Sequence, residues 1–247
     1  MTTVEVVIPV YNEQRALPES IPVLRDFLAS DRVPYDWRIL IADNASTDST
    51  PEVGRKLEAE NEGKVKYVRI ERKGRGCALK QVWLDSPMDV VSYMDVDLST
   101  GIDAFPALIR AIAEEGYDVA IGSRLAKGAK VERSLKRRVL TLGYNSMIKG
   151  MFFTGFSDAQ CGFKAVSREA AQTLIPLIED NNWFFDTELL ILAEKAGYKV
   201  KDVPVEWIED TDTRVKIVAT VSEDVRGLIR MRLGRPWRRA KAAAKAD

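Results

Sequence analysis

Five short runs rich in β-branched residues, at 4–10, 37–42, 65–70, 90–94 and 119–122, narrow the possible folds of this 247-residue chain more than any other feature. Between them, 16–30 and 104–115 carry apolar residues three and four apart, the spacing of one helix face. Parallel strands need a crossover between them, and crossover helices cover the sheet. The alternation therefore predicts an α/β chain of Rossmann-like kind, a mostly parallel sheet with helices on both faces. Downstream, the sequence predicts a basic stretch at 127–138, an apolar segment at 147–156, a helix near 187–196 and a strand at 200–208. Val218, Val221, Val225, Leu228 and Ile229 mark the apolar face of a last helix. No Pro/Gly/Ser linker interrupts the chain. It reads as one domain over 1–217, with halves at 1–125 and 126–217, followed by an amphipathic helix and basic tail at 218–247.

Composition removes several chemistries. There is no histidine, which excludes Ser-His-Asp and Cys-His nucleophile systems and every His-containing metal site. Only Cys77 and Cys161 are present, too few for a thiolate cage or a disulfide framework, and a reducing, cytoplasmic setting is expected. Acid-base and metal chemistry is left to carboxylates. Lys+Arg and Asp+Glu both number 37, so no general field draws the chain to nucleic acid, and no nucleic-acid partner is expected. The first ten residues lack the regions of a signal peptide, and no apolar run reaches the ~18 residues of a bilayer span. A soluble or peripheral protein is expected.

In an open α/β sheet, ligands bind beyond the carboxyl ends of the strands. The first run ends in Pro9-Val10-Tyr11-Asn12-Glu13, an aromatic face and a carboxylate at that edge. The second ends in Asp43-Asn44-Ala45-Ser46-Thr47-Asp48, where Ser46, Thr47 and Asp48 suit a helix cap but Asp43, at the strand end, does not. After the third comes Arg72-Lys73-Gly74-Arg75-Gly76, either a plain turn or a phosphate site built from backbone N–H groups and Lys73. It matches neither a P-loop nor a dinucleotide fingerprint. The fourth run ends in Asp95-Val96-Asp97. In extended chain these side chains project to one side, which predicts Mg²⁺ or Mn²⁺ held by oxygens with positions open for a diphosphate; an ordinary acidic loop is the alternative. Arg124, after the fifth run, reads as a counter-charge to that diphosphate. With histidine missing, Asp158 and Asp186 are the candidate general bases.

Lys127, Lys130, Arg133, Lys136, Arg137 and Arg138 precede the apolar segment, an order suited to a phosphate head with a greasy tail, or else to a solvated basic face beside a core helix. From 226 onward eight basic residues stand against one acidic residue, predicting either a hold on an anionic membrane surface, with the last helix's apolar face in the interface, or a helix packed on the core with a solvated tail.

Taken together, these motifs resemble family 2 glycosyltransferases of the GT-A fold, and among them the polyprenyl-phosphate (dolichyl-phosphate) glycosyltransferases, over 4–233. The run Asp158-Ala159-Gln160-Cys161-Gly162-Phe163-Lys164 is similar to the dolichyl-phosphate β-glucosyltransferase branch. The chain departs from many relatives at Leu98-Ser99, after the aspartate pair. The resemblance implies inverting transfer of a hexose, glucose before mannose, from a nucleotide diphosphate sugar (UDP-glucose, then GDP-mannose) to a polyprenyl phosphate. It further implies a peripheral protein on the cytoplasmic, inner membrane face, with 1–125 as the nucleotide-sugar half and 126–217 as the acceptor half. Pro9, Tyr11, Glu13, Asp43, Asp48, Lys73 and Gly74 would hold the nucleotide sugar, and Asp95 and Asp97 the metal. Arg124 and Asp158 would join the aspartate pair in catalysis, while Arg133, Arg137, Gln160 and Arg214 would meet the acceptor. The competing readings are a same-fold transferase acting on a hydroxyl and a non-catalytic nucleotide-sugar-binding module.

Overall fold

The computed structural model describes residues 1–132, 134–208 and 217–243. Arg133 and Arg214, two of the expected acceptor contacts, lie outside the described residues, and so does the side chain of Arg137.

The elements in chain order are β1 (Thr3–Val10), α1 (Leu17–Leu28), β2 (Asp36–Asn44), α2 (Thr50–Glu60), β3 (Val65–Ile70), α3 (Arg75–Asp85), β4 (Val90–Met94), α4 (Phe105–Ala113), β5 (Val119–Ser123), β6 (Lys130–Glu132), α5 (Leu135–Phe152), β7 (Phe163–Ser167), α6 (Arg168–Leu174), α7 (Phe185–Ala196), β8 (Val200–Pro204), β9 (Glu206–Ile208), α8 (Ile217–Gly234) and α9 (Trp237–Ala243). Seven strands form one sheet in the order β3-β2-β1-β4-β7-β5-β8. All neighbours are parallel except β7, which runs antiparallel between β4 and β5. The strands read as near-continuous apolar runs because both faces are covered. Val6, Ile8, Ile39 and Ile41 face one core, while Val7, Leu40 and Ala42 face the other. Pro9 sits in a central strand without breaking it, since the register with β4 ends at Val7↔Tyr93, two residues earlier.

One expectation is corrected, and at two places the structure decides between alternatives that the sequence leaves open. The strand expected at 200–208 is two strands in different sheets: β8 closes the main sheet beside β5, and β9 pairs with β6 in a small second one. At 147–156 the structure favours the core helix, with Ile148, Phe152 and Phe156 buried, although Phe153 is 83% exposed. That helix, α5, also exposes apolar side chains in its first half, Leu135 at 78% and Val139 at 68%. The last helix, for which the sequence leaves both a membrane face and packing on the core open, is docked on the domain. Leu228 and Met231 of α8 are buried, Gly227 lies so close to Phe184 that a Cβ would come within 2.4 Å of its ring, and Trp237 packs edge-on against Phe152 at 6.0 Å. Arg230, counted among the tail's free cations, makes a two-pronged bond of 3.0 and 2.9 Å to the buried Glu188 of α7.

Candidate active site

The carboxyl ends of β1, β2, β4 and β5 open on one edge, and the loops there are laced together. Asn12 N–H donates to Ser46 Oγ at 2.9 Å, Glu13 N–H to Thr50 Oγ1 at 2.8 Å and Thr47 N–H to Asn12 Oδ1 at 2.8 Å. Asn12 and Ala45 take left-handed backbone, φ 58° and 57°, to make these turns. Asp48 accepts the Thr50 N–H at 3.0 Å and so helps start α2, whereas Ser46 serves the facing loop instead. Asp43 is fully buried with both oxygens engaged: Oδ1 accepts Ser46 N–H at 2.9 Å, and Oδ2 accepts the Tyr67 hydroxyl at 2.6 Å and Arg69 Nη1 at 3.3 Å. Burial and then Asp43 push the Tyr67 hydroxyl up to about 12. Lys73 stands 4.0 Å over the Tyr11 ring, and its hydrogen bond to the hydroxyl pulls that group below its usual value. Gly74, at φ 138°, donates its N–H to Asn44 Oδ1 at 2.8 Å; a Cβ there would lie 2.4 Å from the Asn181 carbonyl, so the glycine is needed for both angle and space.

β4 stops at Met94, so the aspartate pair is not on extended chain. Residues 95–98 form a turn, with Leu98 N–H donating to the Asp95 carbonyl at 3.2 Å and Leu98 at φ 51°. The turn leaves Asp95 half-buried and Asp97 exposed, with Asp97 Oδ1 accepting Ser99 N–H at 2.9 Å. Burial raises Asp95 above the ordinary carboxylate range; Arg75 opposes the shift, and the nearby Asp97 and Asp186 add to it. Two aspartates with mutual repulsion, free of nitrogen and sulfur ligands, are a donor set for a hard divalent cation. Gly162 leaves the carboxylate room, since a Cβ there would fall 1.9 Å from Asp95 Oδ2. Among the described residues no group of three or more His, Cys, Asp or Glu forms a ready cage, so further ligands would have to come from the bound substrate or water.

Arg75, which opens α3, reaches this pair. Its Nη2 lies 2.7 Å from Asp95 Oδ1, its guanidinium is 4.9 Å from the Tyr93 ring on one contact and 4.9 Å from the Trp183 ring on another, and its buried Nε has no partner among the described residues. Beneath it Lys164, fully buried on β7, bonds Asp186 at 3.0 Å and the Cys161 carbonyl at 2.6 Å, and the Tyr93 hydroxyl donates to Asp186. The antiparallel register Tyr93↔Lys164 puts these groups side by side.

On the other flank Arg124 grips Asp158 through Nε at 2.7 Å, Nη2 at 2.9 Å and its own backbone N–H at 3.1 Å, with its guanidinium 5.3 Å from the Trp207 ring. Burial would raise the Asp158 carboxyl, but Arg124 overrides it and holds the group below its usual range. Gln160 donates to Asp224 Oδ2 at 3.0 Å, and Asn145 of α5 pins the same loop by accepting Ala159 N–H at 2.9 Å. Sequence reasoning assigned no role to Arg75, Trp183 or Asp224. The basic glycine loop was the one signal for Arg75, and nothing local marked the other two.

The model of the family described as "Glycosyl transferase family 2" matches residues 5–175, more than half of the chain. Glycosyltransferase AglD of Haloferax volcanii is 35% identical over 218 residues, which cover 88% of this chain and 35% of AglD. Dolichyl-phosphate beta-glucosyltransferase ALG5C of Trichomonas vaginalis is 30% identical over 220 residues, 85% of this chain and 65% of that protein. The chain thus spans about a third of the one relative and just under two thirds of the other. In fold it is similar to glucosyl-3-phosphoglycerate synthase of Mycobacterium tuberculosis in complex with Mn²⁺, UDP-glucose and phosphoglyceric acid, with a TM-score of 0.68 at 18% identity over 94% of this chain and 80% of that one. The mostly parallel sheet together with that family model and these relatives places the chain in glycosyl transferase family 2, with the GT-A fold, on the side of the family that holds the dolichyl-phosphate β-glucosyltransferases.

Proposed function

We propose that this glycosyltransferase domain moves a hexose, glucose before mannose, with inversion, from a nucleotide diphosphate sugar to a polyprenyl phosphate at the cytoplasmic face of a membrane. The observation that carries the acceptor reading is the state of the two candidate bases. Asp158 is locked to Arg124 and held below its usual range, and Asp186 is tied to Lys164 and Tyr93. A hydroxyl acceptor needs a base, whereas a phosphate monoester, with a second pKa near ~6, is already mostly dianionic and attacks without giving up a proton. The dolichyl-phosphate relatives point the same way.

Asp95 and Asp97 would hold Mg²⁺ or Mn²⁺, the choice for Mn²⁺ being supported by the synthase complex. When bound, the ion would neutralise charge on the departing diphosphate. Tyr11, Glu13, Asp48 and Lys73 would face the nucleotide, with Pro9 near the end of β1 and the buried Asp43 and Gly74 shaping the backbone behind them, and the Arg124–Asp158 pair would support the acceptor side. The exposed Leu135, Val139 and Leu142 recur at one-face spacing on a helix that also carries Arg138, which supports contact with a lipid surface. Among the described residues no helix is long and apolar enough to cross a membrane.

The test is incubation with labelled UDP-glucose or GDP-mannose and a polyprenyl phosphate, followed by extraction into organic solvent. Label in the organic phase is expected. Label confined to water-soluble product would favour a hydroxyl acceptor, for which the buried Asp224, pushed up to about 7 by burial, is the remaining carboxyl in the range of a base.

A further inference from the structure

Arg75 stands where a helix does not favour a cation. It is the first residue of α3, at the positive end of the helix dipole, and its side chain is 14% exposed. What holds it there is the pair of ring contacts with Tyr93 and Trp183 and the 2.7 Å bond to Asp95 Oδ1. The same carboxylate would be a ligand in the reading of Asp95 and Asp97 as a metal pair. A divalent cation held there would sit beside a full positive charge fixed in position. Guanidinium and metal ion therefore compete for one carboxylate. The buried Nε, a donor without an acceptor among the described residues, shows that the guanidinium's hydrogen bonding is incomplete in this arrangement. A phosphate oxygen is the acceptor that a guanidinium fork matches best.

We propose that Arg75 is a positioning residue that makes metal binding depend on the nucleotide sugar: its guanidinium occupies Asp95 until a diphosphate offers it phosphate oxygens, and the carboxylate is then released to the ion. The proposal rests on the reading of the aspartate pair given above. A diphosphate carries enough negative charge to sit with both cations at once, so the repulsion between guanidinium and ion is offset in its presence. By linkage, the metal must strengthen nucleotide binding by the factor by which the nucleotide strengthens metal binding.

The experiment is titration of the full chain with Mn²⁺, followed by the electron paramagnetic resonance signal of the free ion, with and without UDP. Wild type is expected to bind Mn²⁺ alone weakly and to gain from UDP by a factor within about 5- to 150-fold. Arg75→Gln should bind Mn²⁺ alone roughly 10-fold more tightly and lose a matching part of the gain from UDP. Arg75→Lys, which keeps the charge, should stay weak without UDP. Trp183→Leu removes one of the two ring contacts from an exposed position and should tighten Mn²⁺ alone in the same direction, which covers the case in which Arg75→Gln fails to fold. Unchanged Mn²⁺ affinity without UDP in both Arg75→Gln and Trp183→Leu overturns the proposal. If wild type binds UDP but no Mn²⁺ even then, the metal reading of Asp95 and Asp97 fails and the proposal falls with it; if UDP itself does not bind, the nucleotide reading fails.

Discussion

Asp158 and Arg124 form a buried ion pair with three hydrogen bonds, one of them from the Arg124 backbone, and neither charge is near water on the carboxylate side. Removing one partner of such a pair strands the other, at a cost of about 3–5 kcal/mol. Asp158→Asn is therefore expected to lower both turnover and unfolding free energy. The Asp158→Asn, Arg124→Gln double variant should be little worse than either single one, as a double-mutant cycle in urea would measure. Loss of activity alone would not make Asp158 a base. Asp97 differs, because it is exposed and, among the described residues, accepts the Ser99 N–H of its own turn. Asp97→Asn should leave unfolding unchanged while turnover falls at least ~10²-fold, and excess chelator should abolish turnover until Mn²⁺ or Mg²⁺ is restored. Both aspartates of the pair were legible in the sequence because each stands at or just beyond the end of an apolar run. Arg75 and Trp183 were not, since their meeting at Asp95 depends on how α3 and the start of α7 are set against β4, and no spacing along the chain records that.

The same contrast holds for the elements. The first five strands are found within two residues of their expected ends, because burial on both faces writes them as unbroken apolar runs. β7 escaped notice because its five residues include Lys164, whose charge is matched by Asp186 more than twenty residues on. At 147–156 the sequence left a lipid-tail site and a core helix both open for a related reason: an apolar stretch says that something is buried, not against what. On α5 the exposed Leu135 and Val139 contribute nothing to the core, so Leu135→Asp with Val139→Asp should shift stability by no more than about 0.5 kcal/mol. Co-sedimentation with anionic liposomes should fall in the same variant; unchanged sedimentation would remove α5 from the membrane contact. α9 is the opposite case. With Ala240 buried and Trp237 against Phe152, truncation after Leu233 should cost about 2–4 kcal/mol in urea unfolding.

At the scale of the molecule, pH reaches the fold through Asp224. Burial pushes this carboxyl up to about 7, so the folded protein holds a proton that the unfolded chain, with an ordinary value near ~3.9, has released. Stability should fall as pH rises from about 4 through about 7. Asp224→Asn keeps an acceptor for Gln160 and should flatten that slope, leaving the variant the more stable of the two by about 2 kcal/mol at pH 8, as thermal melts across the range would show. The strand order has its own outcome during synthesis. β5 has β7 and β8 as its neighbours, both downstream of it, and β4 gains its second partner only when β7 arrives. A nascent chain that has emerged through Ser123 thus carries an apolar β4 with one open edge and a β5 with two. The ribosome must add at least the residues to Ser167 before β7 can close β4, and those to Pro204 before β5 is closed on both sides. For that interval the chain offers unpaired apolar strands to its neighbours on the polysome, and this is when chaperone occupancy should peak and when slowed elongation should drive it into aggregates.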